Sequence, residues 1–149
     1  MSEVRFYHLT RTSLGQALPQ MLEKTLERGQ RAVIRAGSEE RVEALAASLW
    51  TYNDRSFLPH GTLKDGRAER QPIWLTTGEG APNGAEVLFL TDGSSTEGVA
   101  DYGLCAVLFD GSDDEALAAA RGQWTTLKDA GHAVTYWQQD DTGRWSQKA

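Results

Sequence analysis

The 149-residue sequence contains one cysteine, Cys105, and no apolar run long enough to cross a bilayer. A transmembrane helix needs about 20 consecutive apolar residues, so we expect no membrane association. A lone cysteine forms no internal disulfide, and the apolar, strand-like run around it predicts a buried thiol in a reducing cytoplasm. The first residues lack a basic segment followed by an apolar one, so no secretory signal is predicted.

Positive charge is also scarce, since 15 Lys and Arg residues are outnumbered by 21 Asp and Glu residues, for a formal net charge of -6. Affinity for nucleic acid depends on clustered cations that release counterions, so any contact with DNA is expected to be indirect. A local patch at Lys64, Arg67 and Arg70 leaves direct binding of single-stranded DNA as an alternative. The length and composition fit a single domain over residues 1–149.

The motifs that bind nucleotides and metals are missing. The glycines at 78–84 enclose a proline and precede an apolar strand, whereas a dinucleotide fingerprint leads into a helix whose N-terminus holds the pyrophosphate. No P-loop motif occurs. His8, His60 and His132 lack the spacing of metal ligands. We therefore expect neither a cofactor nor a metal ion.

Asp92 and Asp110 give the strongest indication of catalysis. Each follows an apolar strand, where α/β enzymes often place catalytic carboxylates. Against this, Asp-Gly is a common turn at the end of a strand, and no adjacent Lys, Ser or His completes a mechanism. The alternative function is thus a small metal-dependent hydrolase or phosphotransfer enzyme that uses these two carboxylates.

The periodicity of apolar residues alternates between strand and helix patterns. Strands are predicted at residues 4–9, 31–36, 72–76, 86–91, 104–109 and 132–138, and amphipathic helices follow Ser13, Ser38 and Ser112. Fully apolar strands indicate a sheet that is covered on both faces. We predict an α/β, Rossmann-like fold with a mainly parallel sheet of roughly seven strands and helices on both faces. The middle, between residues 61 and 103, is expected to be irregular or to form a hairpin.

Serines are predicted to cap the helices. Ser13 with Gln16, and Ser112 with Glu115, fit the capping-box pattern. Pro19 is tolerated best in the first turn of a helix, so the first helix is expected either to be kinked or to begin a few residues after Ser13.

Residues 49–61 lack regular periodicity yet contain Trp50, Phe57, Pro59 and His60. The preceding helix must end near residue 52, and residues 56–60 then form a short extended piece. Proline cannot donate to a sheet ladder, so this piece is expected at a sheet edge, where its side chains would form a docking surface. The alternative is that Trp50 and Phe57 fill the core.

The predicted third helix carries a second candidate surface. Arg121, Trp124, Thr125 and Lys128 fall on one side at helical spacing. A guanidinium, an ammonium and an aromatic ring suit a peptide that offers a carboxylate beside an apolar side chain. The alternative is that Trp124 belongs to the core and both cations are solvated.

These segments resemble a known family. Leu49-Trp50, the signature Ser56-Phe57-Leu58-Pro59-His60-Gly61, the strand, loop and helix over 109–131, and Tyr136-Trp137 are similar to the chi subunit of bacterial DNA polymerase III. The resemblance implies a non-catalytic accessory subunit of the clamp-loader assembly in the cytoplasm. It also implies that the subunit links the replicase to single-stranded DNA-binding protein, through that protein's acidic, phenylalanine-ended tail, in DNA replication.

The resemblance further implies two sets of site residues. The tail of single-stranded DNA-binding protein would be bound by Arg121, Trp124 and Lys128. The psi subunit, or another clamp-loader component, would be contacted by Trp50, Phe57, Pro59 and His60.

This chain departs from the family at two positions of the third helix. Where the family carries further lysines, the chain has Leu117 and Thr125. The affinity for the tail is therefore expected either to be lower or to rely on a cation from elsewhere, such as Arg5.

Overall fold

The computed structural model describes residues 2–10, 13–51, 60–62, 66–78, 81–91, 93–140, 142 and 144–149, apart from the side chains of residues 50 and 51. These residues form eight strands and three α-helices. The strands are β1 (Glu3–Leu9), β2 (Ala32–Arg35), β3 (His60–Gly61), β4 (Ile73–Thr76), β5 (Val87–Leu90), β6 (Leu104–Asp110), β7 (Ala133–Gln139) and β8 (Trp145–Gln147). The helices are α1 (Leu14–Glu27), α2 (Glu39–Thr51) and α3 (Asp114–Asp129).

All eight strands belong to one sheet, in the order β3-β4-β2-β5-β6-β1-β7-β8. Neighbouring strands are parallel except β7 and β8, which are antiparallel. The predicted α/β fold with a mainly parallel sheet is confirmed. The alternative prediction of a hairpin between residues 61 and 103 is wrong, because β4 and β5 lie on opposite sides of β2 and both pair with it in parallel. The short strand β8 was not predicted.

The helices cover both faces of the sheet, as predicted. On one face α1 and α2 pack on the sheet through an apolar cluster that includes Leu22 and Leu45. On the other face α3 packs through a second cluster that includes Ala120 and Leu127. Successive strand residues point to opposite faces, so Phe6 of β1 faces α3. No helix in the described part of the chain combines the length and apolarity needed to cross a bilayer.

Helix α1 begins at Leu14, directly after Ser13, so the later start suggested by Pro19 is wrong. The Ser13 N–H donates to Oε1 of Gln16 at 3.1 Å, as the capping-box pattern predicted. Pro19 is accommodated inside the helix and is buried.

The predicted capping of α3 by Ser112 is also wrong. Its hydroxyl and N–H both donate to Oδ1 of Asp110 in the turn after β6, at 2.7 and 2.9 Å. The cap is Asp113, whose carboxylate accepts from the N–H groups of Glu115 and Ala116. A carboxylate at this end of a helix also interacts favourably with the helix dipole.

Arg35 at the end of β2 is completely buried and holds the irregular loops in place. Its Nε donates to the carbonyl of Gly78 at 3.2 Å. Its Nη1 donates to the carbonyls of Ser95 and Glu97, at 2.7 and 2.8 Å. The loops that follow β4 and β5 are thereby tied to the central strand β2.

Candidate functional site

Helix α3 presents Arg121, Trp124 and Lys128 along one side, as the spacing predicted. Arg121 and Lys128 are exposed, whereas Trp124 is half-buried at the border between the helix and the sheet. The orientation of α3 is set by its apolar stripe, in which Ala120 and Leu127 are buried against the sheet.

The Trp124 indole is held between the core and solvent. It packs edge-on against Phe6 of β1, with ring centroids 5.5 Å apart, and against Tyr136 of β7, with centroids 6.1 Å apart. On its exposed side, Nζ of Lys128 lies 5.9 Å from the indole ring centroid, within the range of a cation–π contact. One part of the Trp124 ring therefore belongs to the core, as the alternative interpretation expected, while another part of the ring stays accessible to solvent.

A cavity of about 560 Å³ opens beside this tryptophan. Arg121 and Lys148 contribute positive charge to its lining, and Phe6, Phe109 and Leu117 contribute apolar surface. Cavities of about 300–1,000 Å³ with mainly apolar walls and few polar groups are typical ligand sites. Lys128 is not part of this lining and instead flanks the cavity through its contact with Trp124.

His8 and Tyr136 form a polar pair in the same cavity. Nδ1 of His8 and the hydroxyl of Tyr136 share a hydrogen bond. Burial lowers the pKa of His8, an effect that the charge of Asp110 partly offsets. Burial raises the pKa of Tyr136, while the positive charge of Arg121 acts in the opposite direction. The field of Arg121 therefore extends into the cavity.

Arg5 does not supply an additional cation here. It lies on the opposite face of the sheet, where its guanidinium carbon is 5.8 Å from the ring centroid of Trp137. Neighbouring residues of β1 point to opposite faces, so Arg5 and Phe6 cannot share a site. Lys148, which follows β8, is the further cation that reaches the cavity.

The second predicted surface falls largely outside the described residues. Phe57 and Pro59 lie there entirely, and Trp50 is described only as a backbone position in the last turn of α2. His60 is in β3, the terminal strand of the sheet, so the predicted edge position is confirmed for this residue. Its side chain is buried, and Nε2 lies 3.0 Å from the carbonyl oxygen of Ala46 in α2. The role of this surface stays a prediction.

The residues considered for enzymatic chemistry have structural roles where they are described. Hydrogen bonds from Ser112 lower the pKa of Asp110, whose exposed carboxylate is engaged in the turn after β6. Cys105 is fully buried, and burial raises its pKa to about 12, which disfavours a nucleophilic thiolate. Within the described residues, no group of His, Cys, Asp and Glu is arranged to hold a metal ion. Asp92 lies outside them.

Comparison with known families identifies this architecture. The family described as DNA polymerase III chi subunit, HolC, matches residues 1–135. The chain belongs to this family. The match includes β1, β6 and α3, which supply most of the residues that line the cavity. The family description is that of a polymerase subunit, which agrees with the prediction that the chain is not catalytic by itself.

A curated relative supports the same assignment. The probable DNA polymerase III subunit chi of Rickettsia prowazekii (strain Madrid E) is 31% identical over 90 residues. The matched region covers 60% of this chain and 54% of the relative. The chi-family chain therefore spans about half of the length of the relative that it matches.

Three polar residues of the cavity, namely His8, Tyr136 and Lys148, were not part of the predicted site. His8 and Tyr136 alternate with residues that point to the other face, so the strand pattern places both on the face that carries α3. That signal was available once the α3 surface had been chosen. Lys148 follows the strand β8, which was not predicted. No motif and no periodicity in the sequence around Lys148 links this residue to α3.

Proposed function

We propose that this chi-family chain is an accessory subunit of the bacterial DNA polymerase III holoenzyme in DNA replication. In this role it links the clamp-loader assembly to the acidic tail of single-stranded DNA-binding protein in the cytoplasm. The observation that supports tail binding most directly is the cavity beside Trp124, where apolar walls meet the guanidinium of Arg121.

The chemistry of the cavity suits a peptide that ends in phenylalanine. The side chains of Phe6, Phe109 and Leu117 offer apolar surface to a phenyl ring. A terminal carboxylate would pair with Arg121, since a guanidinium can donate two hydrogen bonds to one carboxylate. Acidic residues further along the peptide would meet Lys148 in the lining of the cavity and Lys128 beside Trp124. Because these cations are exposed, their contribution should be modest and sensitive to salt.

Contact with the psi subunit, or with another clamp-loader component, is proposed for the opposite end of the sheet. The terminal strand β3 is followed in space by no further described strand, and an unpaired sheet edge favours association with another chain. Trp50, Phe57 and Pro59 precede it in the chain, and His60 lies within it. The hydrogen bond between the buried His60 side chain and α2 supports a role of His60 in fixing the edge, with the partner contacted by the residues next to it.

Tail binding can be tested by calorimetry with an acidic peptide that ends in Asp-Ile-Pro-Phe. We expect Arg121→Ala to weaken binding about tenfold or more, because it removes charge-assisted hydrogen bonds to the carboxylate. The control is Arg67→Ala, which removes an exposed arginine elsewhere on the surface. A peptide without its final phenylalanine should bind poorly to the wild-type chain and to the Arg67→Ala control.

Two results would refute the assignment of this site. One is the absence of binding to the wild-type chain at low ionic strength. The other is an affinity that Arg121→Ala and Arg67→Ala change equally.

A further inference from the structure

A second cleft, of about 520 Å³, lies on the face of the sheet opposite to the Trp124 cavity. One wall is the side of α1 that carries Lys24, together with Arg28 directly after the helix. The other wall is the sheet surface, formed by β5 and β6 at the inner end of the cleft and by β1, β7 and β8 at the outer end. Helix α1 packs over β6, so the strands beyond it extend past the helix and leave part of their surface open.

Three aromatic side chains converge on the floor of this cleft. Tyr7 of β1 stacks with Trp137 of β7, with ring centroids 6.4 Å apart and planes inclined by 27°. Trp145 of β8 meets Tyr7 edge-on, with centroids 5.0 Å apart. All three side chains are half-buried, so each exposes part of its ring. Adjacent strands of one sheet thus present a continuous aromatic platform.

Four cationic side chains surround this platform. Lys24 in the last turn of α1 and Arg28 directly after the helix are both exposed, and Arg144 is exposed just before β8. Arg5 is held over Trp137 and pairs with Glu3 through Nε at 2.8 Å, in a pair that is itself partly open to solvent.

We propose that this cleft binds single-stranded DNA, with bases stacked on Tyr7, Trp137 and Trp145 and phosphates paired with Lys24, Arg28 and Arg144. Sequence-tolerant binding of single strands combines a cationic groove with aromatic rings on which successive bases stack. Rings carried by neighbouring strands of a sheet are also the means by which several nucleic-acid modules hold unpaired bases. This binding uses the face opposite to Arg121 and does not depend on the tail-binding function.

The aromatic platform distinguishes a single strand from other acidic partners. A duplex keeps its base faces stacked internally, so it would contact the cations without using the rings. An acidic peptide that lacks aromatic and apolar side chains would likewise gain little from three ring surfaces. Membership of a DNA polymerase III subunit family favours DNA as this single strand.

The net charge of -6 does not oppose a local site of this kind. The Debye length is about 10 Å at 0.1 M salt, so a bound phosphate responds mainly to the cations of the cleft. Binding should therefore be moderate and should fall steeply with salt. The site also differs in place from the loop patch of Arg67 and Arg70, which does not line the cleft.

The test is fluorescence anisotropy with a labelled oligothymidylate at low salt, on the full chain. We expect Lys24→Glu/Arg28→Glu to weaken binding at least tenfold and to reduce the salt slope, by about 0.7 for each lost phosphate contact. The matched control is Arg67→Glu/Arg70→Glu, which makes the same change of charge in the exposed loop patch and should leave the affinity within about twofold of wild type.

A second variant tests the platform separately. Trp145→Ala should weaken binding roughly fivefold or more, because base–aromatic stacking is lost, and should leave the salt slope unchanged. Circular dichroism and urea unfolding identify any loss caused by misfolding, and Trp145→Phe should restore most of the affinity. Both cleft variants should keep wild-type affinity for the acidic tail peptide, so failure of one function can be distinguished from failure of the other.

Several outcomes would overturn this proposal. They are no binding at low salt, equal affinity for duplex DNA, a larger loss in the loop control than in the cleft variant, or tighter binding of single-stranded RNA than of DNA. Competition by the tail peptide that disappears in the cleft variant would assign the cleft to peptide. A dimer in sedimentation that is lost in Trp145→Ala would assign it to a second copy of the chain.

Discussion

The Trp124 indole of α3 meets the Phe6 ring of β1 edge-on, with the two ring centroids 5.5 Å apart and the ring planes inclined by 64°. This contact joins the helix to a central strand directly beside the cavity. The same tryptophan therefore contributes both to the core and to the wall of the candidate site, and substitutions there should affect stability and binding together.

We expect Trp124→Ala to lower the free energy of unfolding by about 2 kcal/mol. This figure is below the usual cost for a fully buried tryptophan because the ring is half-exposed. Trp124→Phe should lose much less, since it keeps an aromatic contact with Phe6. Urea denaturation followed by circular dichroism measures both values, and equal stability of the two variants would contradict this account of the packing.

Gly111, after β6, is required for the position of His8. A Cβ at residue 111 would overlap the His8 ring, which Phe109 and Tyr136 hold on its other sides. We expect Gly111→Ala to destabilise the fold by about 1–3 kcal/mol, the usual cost of overpacking.

Gly122 provides the control for this substitution. It lies inside α3, and a Cβ there would meet no atom within 4 Å beyond its chain neighbours and the backbone of its own helix. Gly122→Ala should stabilise the chain by about 0.5–1 kcal/mol through helix propensity. The prediction for Gly111 fails if thermal unfolding shows shifts of the same sign for both variants.

His8 should make stability depend on pH below neutrality. Because burial lowers its pKa in the folded chain, the unfolded chain takes up a proton first as the pH falls through the ordinary histidine value of about 6.5. The contribution of His8 is therefore fully present above that pH and is lost as the pH falls toward the lower folded pKa.

This dependence can be isolated with His8→Gln. Urea unfolding of wild type and variant between pH 8 and pH 5 should show a wild-type stability that declines more steeply below about 6.5. Comparing the two proteins cancels the titration of the other histidines and of the carboxylates. Parallel curves would show that His8 has the same proton affinity in both states.

The capping of α3 gives a direct comparison of two neighbouring residues. Asp113→Ala removes the carboxylate that accepts from two helical N–H groups and should cost about 1 kcal/mol. Ser112→Ala affects an exposed turn hydrogen bond and should change stability by less than about 0.5 kcal/mol. A larger loss in Ser112→Ala, measured by urea unfolding, would restore the capping role that the sequence pattern suggested.

Most of the fold followed from local patterns in the sequence. Continuous apolar runs such as Leu104–Phe109 have the length of a strand and are typical of strands that are covered on both faces. The apolar stripe that includes Ala120 and Leu127 repeats at the period of a helix. The strand β8 escaped prediction because three residues with two polar side chains carry no clear period. Its pairing with β7 depends on tertiary context.

The candidate site was predictable only in part, for similar reasons. Arg121, Trp124 and Lys128 share one helix, so their spacing alone brings them together. Lys148, in contrast, reaches the cavity through strand pairing at the edge of the sheet. The sequence pattern predicted Ser112 as the cap of α3 because either Ser112 or Asp113 suits a helix cap. The structure has Asp113 in this role, since the hydroxyl of Ser112 donates to Asp110 instead.

The buried guanidinium of Arg35 has a consequence for how this chain can vary. It donates hydrogen bonds to the main-chain carbonyl oxygens of Gly78, Ser95 and Glu97 in the loops after β4 and β5. Every amino acid supplies such an oxygen, so the side chains at these three loop positions are free to change while the anchor persists. The placement of the loops after β4 and β5 therefore depends on one residue of the sequence, Arg35 of β2.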